Sequence, residues 1–245
     1  VDFTAEDFMA RVNSDLIGKF VNIASRCAKL LAVHCDNQLL PRVNLGFTLR
    51  AQDHPGKAVL DRIRKSATQI ADYYEAREFG KALREIMALA DAANLYVNDK
   101  APWLIAKQLT SPSDLGSNRV DLQQVCSTAL HMFFDLTVLL KPVLPKLAEQ
   151  IEHWAGADKV PLVWQVPALR NDQDLKLTPF THLMSRVEEK QLDELFGLLP
   201  DTSKPEAAAK PAAAPAKPAA KAKAQEHTPE GCISIDDFTK VDLRI

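Results

Sequence analysis

The sequence predicts an all-α fold, a helical bundle over residues 1–200, followed by a disordered linker and a truncated β segment. Three observations carry this. Apolar residues return every three or four positions through most of residues 4–199, the spacing that places them on one face of a helix. The run LHMFFDLTVLL at 130–140 is hydrophobic on most sides, as the helix buried by all the others must be. Between about Asp201 and His227 the chain turns to Ala, Pro and Lys, with no large apolar side chain to offset the entropy of ordering it.

Composition sets the outer limits. With 245 residues, 47% of them hydrophobic, the chain can fill a sizeable core. Thirty basic residues against 32 acidic ones leave a net charge of -2, so no global basic field announces nucleic acid and any such reading must rest on a local arrangement. Cys27, Cys35, Cys126 and Cys232 show neither zinc-ligand spacing nor a secreted disulfide framework, and read as reduced thiols of a soluble cytosolic protein. The absence of an initiator Met, and an apolar pattern still running at Ile245, suggest a fragment of a longer protein.

Thr4 followed by Asp7 is a near capping box and should open the first helix. Phe8, Val12, Leu16, Phe20, Ala24 and Leu31 then keep one apolar stripe, while Asp15, Asn22, Arg26 and Lys29 fall on the opposite face. Residues 36 to 56, with Pro41, Gly46, Pro55 and Gly56, read as a long connection with at most a short helical piece. A helix from Lys57 to about Glu75 presents Val59, Ile63, Ala67, Ile70 and Tyr74. The next presents Phe79, Leu83, Ile86, Ala90, Ala93 and Val97 on one seam and leaves Arg77, Lys81 and Arg84 outside, where they lean on a phosphate backbone or simply face water.

Asn98, Asp99 and Lys100 read as the stop of that helix. Ala101, before a proline, is pushed out of the helical region, and Pro102 suits the first position of a new helix reaching about Leu109. Trp103 then stands in a first helical turn, where backbone N–H groups and the helix dipole favour anions, a pairing that suits a nucleotide. The plainer reading is an indole plugging the core between two helices. Asp121 to Leu140 is the central helix. His131 within it is either functional or a core histidine hydrogen-bonded to a neighbour.

Pro142 and Pro145 redirect the chain into a short helix toward Trp154. PLVWQVP at 161–167 can make one short extended segment, and Leu183, Val187, Leu192, Leu195 and Leu198 suggest a last helix. After the linker at 201–228, residues 229–245 alternate apolar and polar positions at Ile233, Ile235, Val241, Leu243 and Ile245, as the opening strand of a β domain does.

Two side chains on the first long helix point to chemistry of recognition. Asn22 and Arg26 are one turn apart, so an amide and a guanidinium can together read the hydrogen-bonding edge of one base; a solvated face is the alternative. Catalytic patterns are missing: no Gly-rich phosphate loop, GxSxG, HExxH or paired metal ligands occur in the chain.

NSDLIGKFVNIASR at 13–26, REFGKALREIMALADAANLYVNDKAPW at 77–103 and LKPVLPKLAEQ at 140–150 together resemble the anticodon-binding helical domain of the bacterial methionyl-tRNA synthetases, over roughly residues 3 to 200. GCISIDDFTKVDLRI resembles the start of the C-terminal OB-fold tRNA-binding domain that many members append. The resemblance implies that Asn22 and Arg26 contact the anticodon of tRNA(Met), above all its wobble cytosine, and that an anticodon base stacks on Trp103. It implies a cytoplasmic parent enzyme that charges tRNA with methionine using ATP, and that dimerises through the OB domain. The family's catalytic half carries HIGH-like and KMSKS-like motifs and a zinc-binding insertion, and none of these strings occurs in this chain, so the polypeptide itself should neither activate methionine nor hold a cofactor. The domain of another class I synthetase, or a helical scaffold that binds no RNA, are the rival readings.

Overall fold

The computed structural model describes residues 4–42, 44–45, 55–109, 116–156, 162–164 and 175–196. The linker at 201–228, the segment at 229–245, Cys232 and Leu198 lie outside them.

The first helical run is continuous but changes its winding. It opens as α1 (Ala5–Ala10), passes into a π-helical stretch (Arg11–Val21) and returns to α geometry in α2 (Asn22–His34). In the π stretch each hydrogen bond spans five residues instead of four, so every turn takes in an extra residue and the apolar stripe slips out of register. This corrects the uniform stripe expected from the sequence. Phe8 stays 41% exposed, whereas Phe20, Ile23, Ala24, Cys27, Ala28 and Leu31 are buried. Thr4 holds the N-cap position without a side-chain hydrogen bond, so the expected capping box does not form. The side chain of Asn13 clamps the backbone of Val187 instead, donating to its carbonyl at 2.9 Å and accepting from its N–H at 2.9 Å.

α3 (Pro55–Glu75) starts two residues before the expected Lys57, with Pro55 at its head, and α4 (Phe79–Lys100) runs back along it. The direction is fixed by three contacts in descending order: Gly56 lies against Tyr96, Ser66 donates to Glu85 at 3.2 Å, and Lys81 sits over the Tyr73 ring at 5.9 Å. A Cβ at Gly56 would come within 2.8 Å of Thr128 and 3.0 Å of Tyr96, so only glycine allows this approach.

α5 (Pro102–Lys107) follows at once, then α6 (Ser117–Leu140) and α7 (Pro145–Trp154). α6 is the centre, as the run at 130–140 predicts. Every residue from Val125 to Leu140 is buried, and α2, α3, α4 and α5 all pack on it. Phe133 stacks on Phe20 at 4.6 Å and meets Phe134 and Trp154 edge-on. Cys27, Cys35 and Cys126 are buried free thiols. A two-residue antiparallel pair, β1 (Gln38–Leu39) with β2 (Leu175–Lys176), ties the connection after α2 to the C-terminal part of the described chain. The extended segment expected at 161–167 is not a strand where it is described, at Leu162–Trp164. The last helix, α8 (Glu189–Phe196), begins later than the expected pattern, because Leu183 and Val187 stand in irregular backbone.

The connection at 36–42 carries backbone polar groups into the interior, and α6 meets it with a row of polar side chains one turn apart. Gln123 donates to the Gln38 carbonyl at 3.1 Å, and Ser127 accepts from the Leu40 N–H at 3.1 Å. His131 Nε2 donates to the Leu40 carbonyl at 2.8 Å, and Asp135 pairs with Arg42. Burial, reinforced by the Arg42 guanidinium, pushes the His131 imidazole down to about 3. The core-histidine reading of His131 therefore holds.

The junction of α4 and α5 departs from expectation in an instructive way. Asn98, Asp99 and Lys100 lie inside the last turn of α4, and Ala101 ends it. Ala101 leaves the right-handed region as its proline neighbour requires, but it enters the left-handed one, at φ 43 and ψ 57, rather than extending. Its N–H bonds the Val97 carbonyl at 2.9 Å and its carbonyl accepts from Leu104 at 2.8 Å, so the reversal is tight enough to lay Pro102 and Ala106 into the core. A left-handed non-glycine residue costs about 1–2 kcal/mol.

Two outcomes follow. Ala101→Gly, which removes the Cβ penalty, should raise unfolding stability by about 0.5–1 kcal/mol in urea titrations, net of glycine's greater freedom in the unfolded chain; a loss of stability would contradict a strained Ala101. His131 is neutral in the fold down to about pH 3, whereas in the unfolded chain it takes a proton near 6.5. Between those values the unfolded state binds the extra proton, so falling pH destabilises by at most about 1.4 kcal/mol per unit from this group. His131→Gln, which keeps a donor for Leu40, should flatten stability between pH 6.5 and 4.5, and parallel profiles would refute the assignment.

Candidate nucleic-acid interface

Asn22 begins α2 at the point where the π stretch closes, and Arg26 follows one turn later on the same face; both are half-buried. The π stretch is held against α4 just before them. Asn94 Nδ2 donates to the Lys19 carbonyl at 2.9 Å, and the Lys19 ammonium bridges Asp91 at 3.0 Å and Asp15 at 3.3 Å. The hydrogen bond to Asp91 raises the Lys19 pKa, so this tie stays charged at neutral pH.

Arg26 is the meeting point of three helices. Its Nη2 donates to Asn98 Oδ1 on α4 at 2.7 Å, and its guanidinium carbon lies 4.5 Å from the centre of the Trp103 ring on α5. The indole packs against the core while remaining partly open to solvent. A guanidinium over an aromatic face at a partly exposed site is worth about 0.5–1 kcal/mol. It also fixes a side chain that would otherwise sample many rotamers, because its planar fork is aligned by both contacts.

The structure thus brings together two of the three predicted site residues, Arg26 and Trp103, and keeps Asn22 on the same helix face as Arg26. It adds Asn98, which sequence reasoning took only for a helix stop. Its position three residues before a left-handed C-cap, facing α2, is a tertiary fact; the only sequence signal was an amide close to an Ala-Pro-Trp junction. The amide nitrogens of Asn22 and Asn98 have no protein partner among the described residues. Donors on two amides and a guanidinium, beside a partly open indole, form a surface suited to an unpaired base, with hydrogen bonding at its edge and stacking on its face. In contrast, the expected anion-favouring helix start is slight, since α5 is only six residues long.

Comparison with known proteins gives the family and the fold. The family described as the anticodon-binding domain of tRNA ligase matches residues 56–196. The methionine-tRNA ligase of Aromatoleum aromaticum is 44% identical over 262 residues, covering all of this chain and 32% of that protein. That of Paraburkholderia xenovorans is 42% identical over 247 residues, again covering 100% of this chain and 32% of the relative. The chain therefore spans about a third of the length of these curated relatives. Among solved structures, the apo methionyl-tRNA synthetase of Mycobacterium tuberculosis superposes with a TM-score of 0.63 at 18% identity, covering 76% of this chain and 35% of that one. Its complex with methionyl-adenylate gives 0.61 at 19% identity over 74% of this chain and 34% of that one. The fold is thus shared, and with the family match over more than half its length this chain belongs to the anticodon-binding domains of tRNA ligases.

Proposed function

We propose that the chain is the anticodon-recognition part of a methionine-tRNA ligase and receives the CAU anticodon of tRNA(Met) at Asn22, Arg26 and Trp103. Trp103 stacks one loop base, while Asn22 and Arg26 read the edge of another, the wobble cytosine. Asn98 acts through Arg26 as a positioning residue. One observation carries the reading: the Arg26 guanidinium touches both the Asn98 amide and the Trp103 indole, with the indole still partly open. Stacking of a base on an aromatic is worth about 1–3 kcal/mol, and a good bidentate contact discriminates against a wrong base by about as much. A scaffold role is disfavoured by the same geometry, because a tryptophan that served only to fill the core would be enclosed by it, whereas this ring stays partly open beside a guanidinium.

The rest of the reading concerns the larger protein. A methionine-tRNA ligase of which this chain is about a third charges tRNA with methionine at the expense of ATP, and the methionyl-adenylate of the Mycobacterium tuberculosis protein is in keeping with that chemistry. Its zinc belongs with the catalytic portion, and residues 229–245 begin an OB-fold domain through which the enzyme dimerises. We place the enzyme in the cytoplasm; no helix among the described residues is long and apolar enough to cross a membrane.

The test is the affinity of the chain for a CAU anticodon stem-loop, measured well below the melting temperature of each variant. Trp103→Ala and Arg26→Ala should each weaken binding by about 5- to 150-fold, Trp103→Phe should retain most of it, and a changed wobble base should cost the wild type about as much as losing Arg26. Variants that bind like the wild type while folded would overturn the assignment.

A further inference from the structure

We infer that the solvent face of the α3–α4 hairpin, at Arg62, Lys65 and Arg84, is a second contact for the same RNA and takes the phosphate backbone of its paired stem. This rests on the anticodon reading above, and begins from a charge pattern that the loop-binding residues leave unexplained. The chain as a whole is close to neutral, at -2. On this face, however, most carboxylates are already engaged, exposed Asp99 near the end of α4 apart. Asp61 is held by Lys57 at 2.6 Å and by Arg64 at 3.4 Å, Glu85 accepts from Ser66 at 3.2 Å, and Asp91 is held by Lys19. Lys57 is the main reason the Asp61 carboxyl is pushed below its usual range.

Arg62, Lys65 and Arg84 are exposed, and none of the ion pairs among the described residues engages them. Arg62 and Lys65 line a shallow surface cleft with Ala58, Asp61, Ser66 and Gln69, of about 550 Å³. Its walls offer two cations outside any ion pair, Lys65 acting on Asp61 only through space, while the Ser66 hydroxyl is given to Glu85 and one Gln69 amide hydrogen to Tyr73; such cations suit phosphate oxygens and carry no sequence readout.

Placement relative to the loop site follows from helix geometry. Arg84 and Asn98 are separated on α4 by just under four turns, so they point to nearly the same side about 21 Å apart. Because Gly56 lies at the level of Tyr96 and Ser66 at the level of Glu85, Arg62 and Lys65 stand on the neighbouring helix between those two levels. A hairpin with its loop opened at Arg26 and Trp103 must send its paired stem away from that point, and this face meets it with cations on two adjacent helices. A-form RNA presents mainly phosphates and 2′-hydroxyls to such a surface. The contact ends at Gln69, since exposed Asp72 and Glu75 follow on α3.

The test compares the wild-type chain with the triple variant Arg62→Gln, Lys65→Gln, Arg84→Gln, titrated with a CAU stem-loop and with the same stem under a changed loop, across a salt series. A second triple variant of equal charge change, Lys146→Gln, Arg186→Gln, Lys190→Gln, controls for the field of the whole protein. The hairpin-face variant should weaken both RNAs by the same factor, about ten-fold or more at low salt, and should lower the slope of log affinity against log salt by about 2–3, while the control keeps the wild-type slope. An unchanged slope with intact loop discrimination would overturn this contact and leave the anticodon reading standing. Equal losses in the control would reduce the effect to net charge and overturn it as well. A wild type that does not distinguish the two loops would defeat the anticodon reading and this inference together.

Discussion

The guanidinium of Arg26 is held from two directions, by the Asn98 amide at 2.7 Å and by the Trp103 ring at 4.5 Å, and the rest of the fold exists at this end of the bundle to make that possible. The three side chains come from α2, α4 and α5. None of these helices is placed by the others alone. Each packs on α6, whose unbroken burial from Val125 to Leu140 fixes their spacing through a common core. Individual contacts at the site are weak, on the order of 1 kcal/mol, and a recognition surface built from weak contacts works only if the protein has already met the cost of aligning them.

Several local irregularities serve that alignment. The π stretch ends one residue before Asn22, so the face that α2 presents depends on extra residues wound into the preceding turns. The left-handed Ala101 reverses the chain within one residue and returns Trp103 to the side of α4 from which Asn98 projects. Strain of this kind persists where surrounding packing over-determines it, and here Pro102 and Ala106 are buried on the far side of the reversal.

What could be read in advance follows the same division. The central helix was legible because an apolar run with no polar face has only one place to go in a folded chain, and the helical hairpin of α3 and α4 because its apolar seam keeps strict spacing. Trp103 and Arg26 were legible as residue types in a recognisable string, and the pairing of Asn22 with Arg26 as a one-turn spacing. The winding change at Arg11–Val21 was not, since i→i+5 bonding leaves no compositional mark. Asn98 was hidden for a related reason: its partner is 72 residues away, and a polar residue near a helix end is ordinarily a terminator. The row Gln123, Ser127, His131 and Asp135 shows a signal that was present and overlooked. Polar residues four apart on an otherwise apolar helix mark a face that must serve buried backbone, here the connection through Leu40.

The central claim is that Arg26 and Trp103 act on RNA as one preformed unit. A double-mutant cycle on Arg26→Ala and Trp103→Ala, read as affinity for the CAU stem-loop, measures this directly. A preformed unit predicts that the second substitution costs much less than it does alone, with a coupling of about 0.5–3 kcal/mol. Strictly additive losses would mean that the two side chains meet RNA independently, and that their contact in the free protein has no part in recognition.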